Sequence, residues 1–338
     1  MGEQAGAFLP AVWFAILGFI LLLYTLLDGF DLGVGIISLL VKDEQARGIL
    51  MGSLGSIWDA NETWLVLFGG IIFGAFPAVY GLVMTALYIP LVGMLVGLIF
   101  RAVSFEFRAH SVAKRPWGLA FGWGSLLTAV SQGFAFGGLL WGVNIQNGAY
   151  VGGVFDWFSP FSILTAVAVV GGYAMFGSTY IVMKTRGGIA DMARRTAGWG
   201  AGIAALGALL DTVLAVAKYP FLSQKWGSTP GSFLTIIPFA LGVAAFGMML
   251  LAIKGRREAL PFICALIFAF FSYVALSANY FPIIVPPALT VYQTAAQPLT
   301  LRSMLVAVGI ALPILLAYNI LQYWIFRGKT TSSPYEEE

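Results

Sequence analysis

The stretch AVWFAILGFILLLYTLLDGFDLGVGIISLL, residues 11–40, decides the fold class of this chain. Its sequence is almost wholly apolar, and a helix of about 20 such residues crosses the hydrocarbon core of a bilayer. Two carboxylates, Asp28 and Asp31, interrupt it. An ionisable group near the bilayer centre costs about 2.5–3.5 kcal/mol. The stretch therefore predicts a transmembrane helix whose two acids need partners or a function.

The composition of the whole chain indicates a polytopic all-α membrane protein. Of the 338 residues, 59% are hydrophobic and 10% are charged, whereas soluble domains average about 25% charged residues. No basic patch is interleaved with polar sequence, which argues against nucleic-acid binding. The single cysteine, Cys264, excludes a disulfide framework and a thiolate metal site. The N-terminus lacks a basic segment and a cleavage site, so we expect the first hydrophobic segment to be retained.

Apolar runs along the chain predict nine transmembrane helices in a single integral-membrane domain, residues 1–338. All but three of the 18 basic residues fall in alternate connections or in the tail at 327–338. The positive-inside rule then predicts an outside N-terminus and a cytoplasmic C-terminus. The proline-rich segment 279–301 is expected to be an ordered extracytoplasmic loop that Pro286-Pro287 keeps from being helical. The predicted spans are 8–40, 50–75, 78–100, 118–141, 160–183, 197–217, 233–253, 260–278 and 302–326.

Five carboxylates are predicted to lie on the cytoplasmic side of the first three spans. Asp28 and Asp31 share one face of the first helix, and Asp59 and Glu62 share a face of the second, because residues three apart are neighbours on a helix. Glu106 follows the predicted third span. Carboxylates in a low dielectric can hold or pass a proton. The cluster is therefore a candidate proton entry route.

Two features leave alternatives open. The acids can instead be structural partners of Arg101 and Arg108, which are candidates for charge pairing with Glu106, Asp59 or a partner subunit. Trp58 and Trp64 flank the second acidic pair, and they either anchor the helix at the interface or shape an internal cavity. The glycines of these segments predict close helix packing: Gly29, Gly33, Gly35, Gly69 and Gly70.

Histidine is nearly absent from the chain. The one histidine, His110, falls in a basic segment predicted to be cytoplasmic. Bis-histidine haem ligation, copper sites and carboxylate-histidine metal centres therefore cannot be built from this chain alone. If the protein belongs to a redox enzyme, its metals are expected on another chain.

Four motifs together resemble one protein family. DGFDLGVG at 28–35, WDANETWL at 58–65, FRAVSFEFR at 100–108 and FPIIVPPALTVYQTAAQPLTL at 281–301 resemble subunit II of the bacterial cytochrome bd-type quinol oxidases, including their cyanide-insensitive branch. The resemblance covers most of the chain, in order. It implies two four-helix bundles and one peripheral helix.

The resemblance also implies an activity and a set of partners. Such oxidases of the bacterial cytoplasmic membrane oxidise ubiquinol or menaquinol and reduce O2 to water with cytoplasmic protons. Subunit I would hold two b haems and haem d, subunit II would hold none, and a small accessory subunit can be present. The chain would lie among membrane lipids against subunit I.

By the same resemblance, individual residues acquire roles. Asp59 corresponds to the aspartate placed on a proton route, and Trp64 lies near a proposed lateral O2 path. Asp28 and Asp31 are the acids of the family's DGFD motif. Glu106 occupies an acidic position flanked by Arg101 and Arg108. Some relatives have Gln in place of Glu62 and Asp in place of Glu106.

Two alternative functions remain. The same acids would suit a secondary transporter coupled to H⁺ or Na⁺, although the paired interrupted helices of such proteins are not visible. The chain can also be a purely structural partner whose acids only neutralise arginines of subunit I.

Overall fold

The computed structural model describes residues 2–227, 231–287 and 289–330, and the part of the predicted tail at 331–338 lies outside the described residues. The fold is almost entirely helical. Two small hairpins interrupt it, β1 (Ile145–Gln146) with β2 (Ala149–Tyr150), and β3 (Ile283–Val285) with β4 (Leu289–Thr290). The helices are α1 (Gly2–Ser38), α2 (Glu44–Gly52), α3 (Trp58–Ala75), α4 (Pro77–Ala86), α5 (Tyr88–His110), α6 (Lys114–Trp141), α7 (Pro160–Lys184), α8 (Gly187–Lys218), α9 (Pro220–Trp226), α10 (Gly231–Lys254), α11 (Leu260–Tyr280), α12 (Val291–Thr294) and α13 (Pro298–Ile325).

Seven of the described helices are long and apolar enough to cross a membrane: α1, α5, α7, α8, α10, α11 and α13. The prediction of an all-helical membrane protein is thereby confirmed. The helices α3 and α6 occupy the other two predicted spans and are less apolar. The first turns of α3 carry Asp59 and Glu62, and α6 begins at Lys114-Arg115 and is rich in glycine. The count of nine crossings stays a prediction.

The predicted third span, 78–100, does not correspond to a single helix, and its membrane boundaries stay a prediction. The chain breaks at Leu87, and the long helix α5 continues ten residues past the predicted end, to His110. Apolar periodicity did not predict this extension, because most of the buried side chains in the last turns of α5 are polar, with Phe105 the only buried large apolar one among residues 101–110. Arg101 and Arg108 are both buried there. Glu106 therefore lies on a helix and not in a loop.

Helix α1 is the centre of the fold and packs against α3, α6 and α7. Its closest approach is to α7, where Gly33 and Gly177 meet backbone to backbone and neither position has room for a Cβ atom. Gly29 faces the Tyr173 ring and Gly35 faces Ser125. The packing role predicted for the glycines of α1 is confirmed. By contrast, a Cβ atom added at Gly69 or Gly70 would have no atom of the described chain within 4 Å, so the packing predicted for them is wrong within this chain.

Hydrogen bonds connect helix ends and loops at two separate places in the fold. At one end, Lys184 of α7 donates to the carbonyls of Phe326 and Gly328 after α13, and Tyr180 donates to Ser53 O in the α2–α3 connection. At the other end, the proline-rich segment folds into the β3–β4 hairpin and α12. Val143 N donates to Pro286 O, and Ala296 N donates to Ala75 O. In its described part the segment 279–301 is folded, and it is non-helical at Pro286-Pro287, as predicted.

Candidate functional site

Arg101 of α5 is the centre of a buried charge cluster. Its Nη1 atom lies 2.5 Å from Asp28 Oδ1 of α1, and its Nη2 atom lies 3.0 Å from Glu62 Oε2 of α3. The side chains of Arg101 and Asp28 have no exposed surface, and Glu62 is mostly buried. Removing one member of such a pair would leave an uncompensated charge in a low dielectric. One guanidinium thus ties together three helices.

Asp31 lies beside this cluster, one turn beyond Asp28 on α1, and is also fully buried. Its Oδ2 atom accepts a hydrogen bond of 2.8 Å from Asn61 Nδ2. Within the described residues, Asp31 Oδ1 and Asp28 Oδ2 have no hydrogen-bond partner. Because buried carboxylate oxygens require donors, both atoms are positions for a proton or a bridging water.

A hydrogen-bonded chain connects Asp31 to a cavity. Asn61 Oδ1 accepts a hydrogen bond of 2.8 Å from the Tyr323 hydroxyl of α13, and Tyr323 lines a cavity of about 540 Å³. The cavity lies between the α2–α3 connection, the end of α7, the start of α11 and residues 325–330. Tyr180 and Lys184 also line it. The buried acids thus communicate with one end of the helix assembly through Asn61 and Tyr323.

A second polar chain reaches the cluster from α6 and α7. The Tyr173 hydroxyl donates to Gln132 Oε1 at 2.7 Å, and Gln132 Nε2 donates to the Tyr24 hydroxyl at 2.5 Å. Tyr24 lies four residues before Asp28, on the same face of α1. The interior around the acids is therefore polar on two sides.

The structure brings together three of the five predicted carboxylates, not all five. Asp59 is exposed on α3, and Glu106 is 79% exposed, with its Oε1 atom 3.8 Å from His110 Nδ1. Glu106 is five residues from Arg101, which rotates it by about 140° around a helix of 3.6 residues per turn. Membership of the cluster is therefore corrected to Asp28, Asp31 and Glu62, and Asp59 lies at its edge, one turn before Glu62.

The predicted pairing of Arg101 and Arg108 with Glu106 or Asp59 is wrong within this chain. Arg101 pairs with Asp28 and Glu62 as above. Buried Arg108 forms an ion pair with Glu44 of α2, which also pairs with Arg47. Sequence reasoning missed Glu44 because it follows Asp43 in a short polar connection that reads as solvated. The spacing of three residues between Glu44 and Arg47 was the one sequence pattern that indicated an ion pair for Glu44.

The two tryptophans of α3 are packing residues. The Trp58 ring stacks on Phe105 with ring centroids 5.2 Å apart. Trp64 is buried, and its Nε1 atom donates a hydrogen bond of 3.0 Å to Asn319 Oδ1 of α13. Asn319 and Tyr323 lie four residues apart on α13 and both contact polar groups of α3. Neither was singled out from the sequence, because isolated polar residues in an apolar span carry no pattern.

The residues that could ligate a metal ion are dispersed in the part of the chain that the structure describes. His110 is exposed and lies next to Glu106. Met175 and Met249 are fully buried within the apolar core. Among residues 2–227, 231–287 and 289–330, no group of three or more His, Cys, Asp or Glu side chains is placed to hold a metal ion.

Known proteins resemble this chain in both sequence and fold. The sequence model of a family described as cytochrome bd terminal oxidase subunit II matches residues 9–326. The chain is similar to cytochrome bd-I ubiquinol oxidase subunit 2 of Escherichia coli K12, with 28% identity over 96% of each chain. It is equally similar, at 28% identity, to cytochrome bd ubiquinol oxidase subunit 2 of Bacillus subtilis, over 96% of this chain and 98% of the relative. The solved bd oxidase of Geobacillus thermodenitrificans contains a chain of similar fold, with a TM-score of 0.78, 20% identity, and coverage of 94% of this chain and 98% of that one.

Proposed function

The chain belongs to the cytochrome bd terminal oxidase subunit II family, and we propose that it is the haem-free subunit of a quinol:O2 oxidoreductase that brings cytoplasmic protons towards the haem site. The relatives are named as subunits of ubiquinol oxidases, and the chain is a multi-pass protein of the bacterial inner membrane. In this proposal the two b haems and haem d belong to subunit I, where they supply the reduction of O2. This chain supports subunit I and handles protons.

The observation that carries the proposal is the arrangement of three buried carboxylates around one arginine. Asp28, Asp31 and Glu62 together can carry three negative charges, and Arg101 supplies one positive charge. In a low dielectric, full ionisation of all three is disfavoured because like charges repel and because Asp28 and Asp31 have no exposed surface. The cluster is therefore a place where a proton can be held and exchanged with neighbouring groups.

Polar residues lie on two sides of the cluster, and we assign them to the entry and the exit of that proton. On one side, Tyr323 and Asn61 connect the cavity to Asp31 by hydrogen bonds, and we assign them the positioning of water that carries the proton, because an amide side chain does not itself pass one. On the other side, Glu62 lies one helical turn from exposed Asp59. We assign Asp59 as the exit towards subunit I. Glu106 is removed from the route because it faces away from Arg101.

The exposed face of α3 is the proposed contact with subunit I. Asp59, Val66, Gly70 and Phe73 recur at helical spacing on this face and are all exposed in this chain. Gly69 and Gly70 leave room for another helix to approach closely. This arrangement supports α3 as a helix whose partner is another polypeptide.

The two groups of helix ends support the proposed topology of nine crossings. The ends that meet around Lys184 carry most of the basic residues of the chain, and the ends near Pro286 carry few. An outside N-terminus and a cytoplasmic C-terminus follow from the positive-inside rule. The cavity would then open to the cytoplasm.

The remaining alternatives receive less support. Trp58 and Trp64 are engaged in stacking and hydrogen bonding, so we assign them no role in delivering O2. A secondary transporter is disfavoured by the family to which the chain belongs. A purely structural role and the proposed proton role predict different turnover when one acid is neutralised and the complex still assembles. The structural role predicts unchanged turnover, and the proton role predicts lower turnover.

The test is to replace Asp59 by Asn and Asp31 by Asn in the purified complex with subunit I. We expect a loss of turnover of roughly tenfold or more, since a positioned proton-transfer group contributes about 10²–10⁴-fold, with haem content unchanged. Glu106→Gln is the matched control and should retain full turnover. Full turnover in both Asp variants would contradict a proton role. Loss of haem with turnover per haem unchanged would support scaffolding, and purification without any haem protein would overturn the oxidase assignment.

A further inference from the structure

A basic cleft lies apart from the acid cluster, between the start of α8 and the end of α10. It has a volume of about 320 Å³. Its walls contain four cations, one carboxylate and one apolar side chain. These are Asp191, Arg194, Arg195, Ile253, Lys254 and Arg256.

The charges in this cleft do not balance. Asp191 Oδ1 lies 3.1 Å from Arg194 Nη1 and 3.2 Å from Arg256 Nη1, so one carboxylate is shared by two guanidinium groups. Arg195 and Lys254 add two exposed cations. The Nε atom of Arg194 is buried, and nothing in the described chain accepts a hydrogen bond from it. The cleft is thus organised around cations and has spare donors, which favours an anionic ligand.

The surface next to the cleft is apolar. Trp199 lies four residues after Arg195 on α8 and is 77% exposed, and Leu251 lies three residues before Lys254 on α10 and is 69% exposed. Residues three or four apart share a helix face, so each exposed cation continues into an exposed apolar stripe. In a membrane protein such stripes face acyl chains, while cations at the helix ends lie at the level of the headgroups.

We propose that this cleft is a binding site for the phosphodiester headgroup of an anionic phospholipid, with the acyl chains along the stripes of α8 and α10. Guanidinium groups bind phosphate oxygens through paired N–H donors, and Asp191 pairs with two of them at the cleft. Basic pockets between transmembrane helices are suited to anionic headgroups. The apolar stripes select a lipid over free phosphate.

The test measures lipid retention by the purified complex in nanodiscs or by native mass spectrometry. Phosphatidylglycerol is compared with phosphatidylcholine, and inorganic phosphate is the third probe. The variant is Arg195→Gln with Lys254→Gln. We expect retention of phosphatidylglycerol to weaken by roughly tenfold or more, because each cation near an anionic lipid contributes about fivefold.

The matched control is Lys42→Gln with Arg115→Gln, which removes the same charge from two exposed positions outside the cleft. It should retain phosphatidylglycerol like the unmodified chain, and haem content and assembly should be normal in both double variants. Equal weakening in both would indicate general surface charge and overturn the site. Equal retention of phosphatidylcholine, or displacement of lipid by millimolar inorganic phosphate, would likewise contradict a lipid headgroup site.

Discussion

Arg101 and Asp28 form an ion pair with no exposed surface, in which Nη1 and Oδ1 are 2.5 Å apart and Glu62 contacts the second terminal nitrogen at 3.0 Å. A buried pair contributes little net stability compared with apolar residues of the same shape, but it is costly to break. The guanidinium of Arg101 therefore joins three helices, in addition to the packing of α1 against α3. This makes Arg101 the most sensitive residue of the cluster.

Replacing Arg101 by Gln should destabilise the complex by about 3–5 kcal/mol, because buried Asp28 loses its ion-pair partner in a low dielectric. We expect little assembled complex in membranes and a lower thermal midpoint for what assembles. Arg101→Lys should recover part of the loss, because the positive charge is retained. The recovery should be incomplete, because an ammonium group cannot reach two carboxylates as a planar guanidinium does. Arg115→Gln, at an exposed position, is the control. A stable Arg101→Gln complex would contradict the structural importance of the pair.

Replacing Tyr323 by Phe removes the hydroxyl that joins the cavity to Asn61. The loss of one hydrogen bond should lower stability by about 1 kcal/mol and should lower kcat if protons pass here, while the KM for quinol stays unchanged. Tyr180→Phe is a matched control, because Tyr180 lines the same cavity but donates to Ser53 O instead. Equal kcat values for the two variants would argue against a route through Tyr323.

The sequence was sufficient to predict a helical membrane protein and the acids of the cluster. It was not sufficient to predict which arginine and which neighbouring helices these acids contact. Asp28 and Asp31 stand out because a charge in an apolar run is conspicuous. The rotation of Glu106 away from Arg101 depended on α5 remaining helical to His110, and that extension is stabilised by buried arginines that no hydropathy pattern can show. The partners Glu44 and Asn319 were missed because contacts between distant segments leave no local signal.

Replacing Gly33 by Ala should disrupt the contact between α1 and α7. A Cβ atom there would overlap the backbone of Tyr173 and Gly177, and overpacking of a close helix contact costs about 1–3 kcal/mol or more. We expect a marked fall in the amount of complex in membranes. Gly202→Ala introduces the same methyl group at an exposed position of α8 where the described chain has no atom within 4 Å, so the amount of complex should remain as before. Equal losses in the amount of complex for the two glycine variants would contradict the close contact between α1 and α7.

The contact between Glu258 and Lys329 should make the segment after α13 sensitive to acid. Glu258 Oε2 lies 2.9 Å from Lys329 Nζ, and the hydrogen bond and charge of Lys329 lower the pKa of Glu258 below its ordinary value. A lowered carboxylate pKa means that the contact is fully present above the ordinary value of about 4.3 and is lost as the pH falls through the lower pKa.

Hydrogen exchange of residues 326–330 should therefore stay constant from neutral pH down to about pH 5, once corrected for intrinsic rates, and should increase below about pH 4. Glu258→Gln should show the faster exchange at all pH values, because the neutral amide cannot form the ion pair. The Glu106→Gln variant, which neutralises an exposed acid on α5, should behave like the unmodified chain. An acid-dependent increase of the same size in Glu258→Gln would assign the effect to another group.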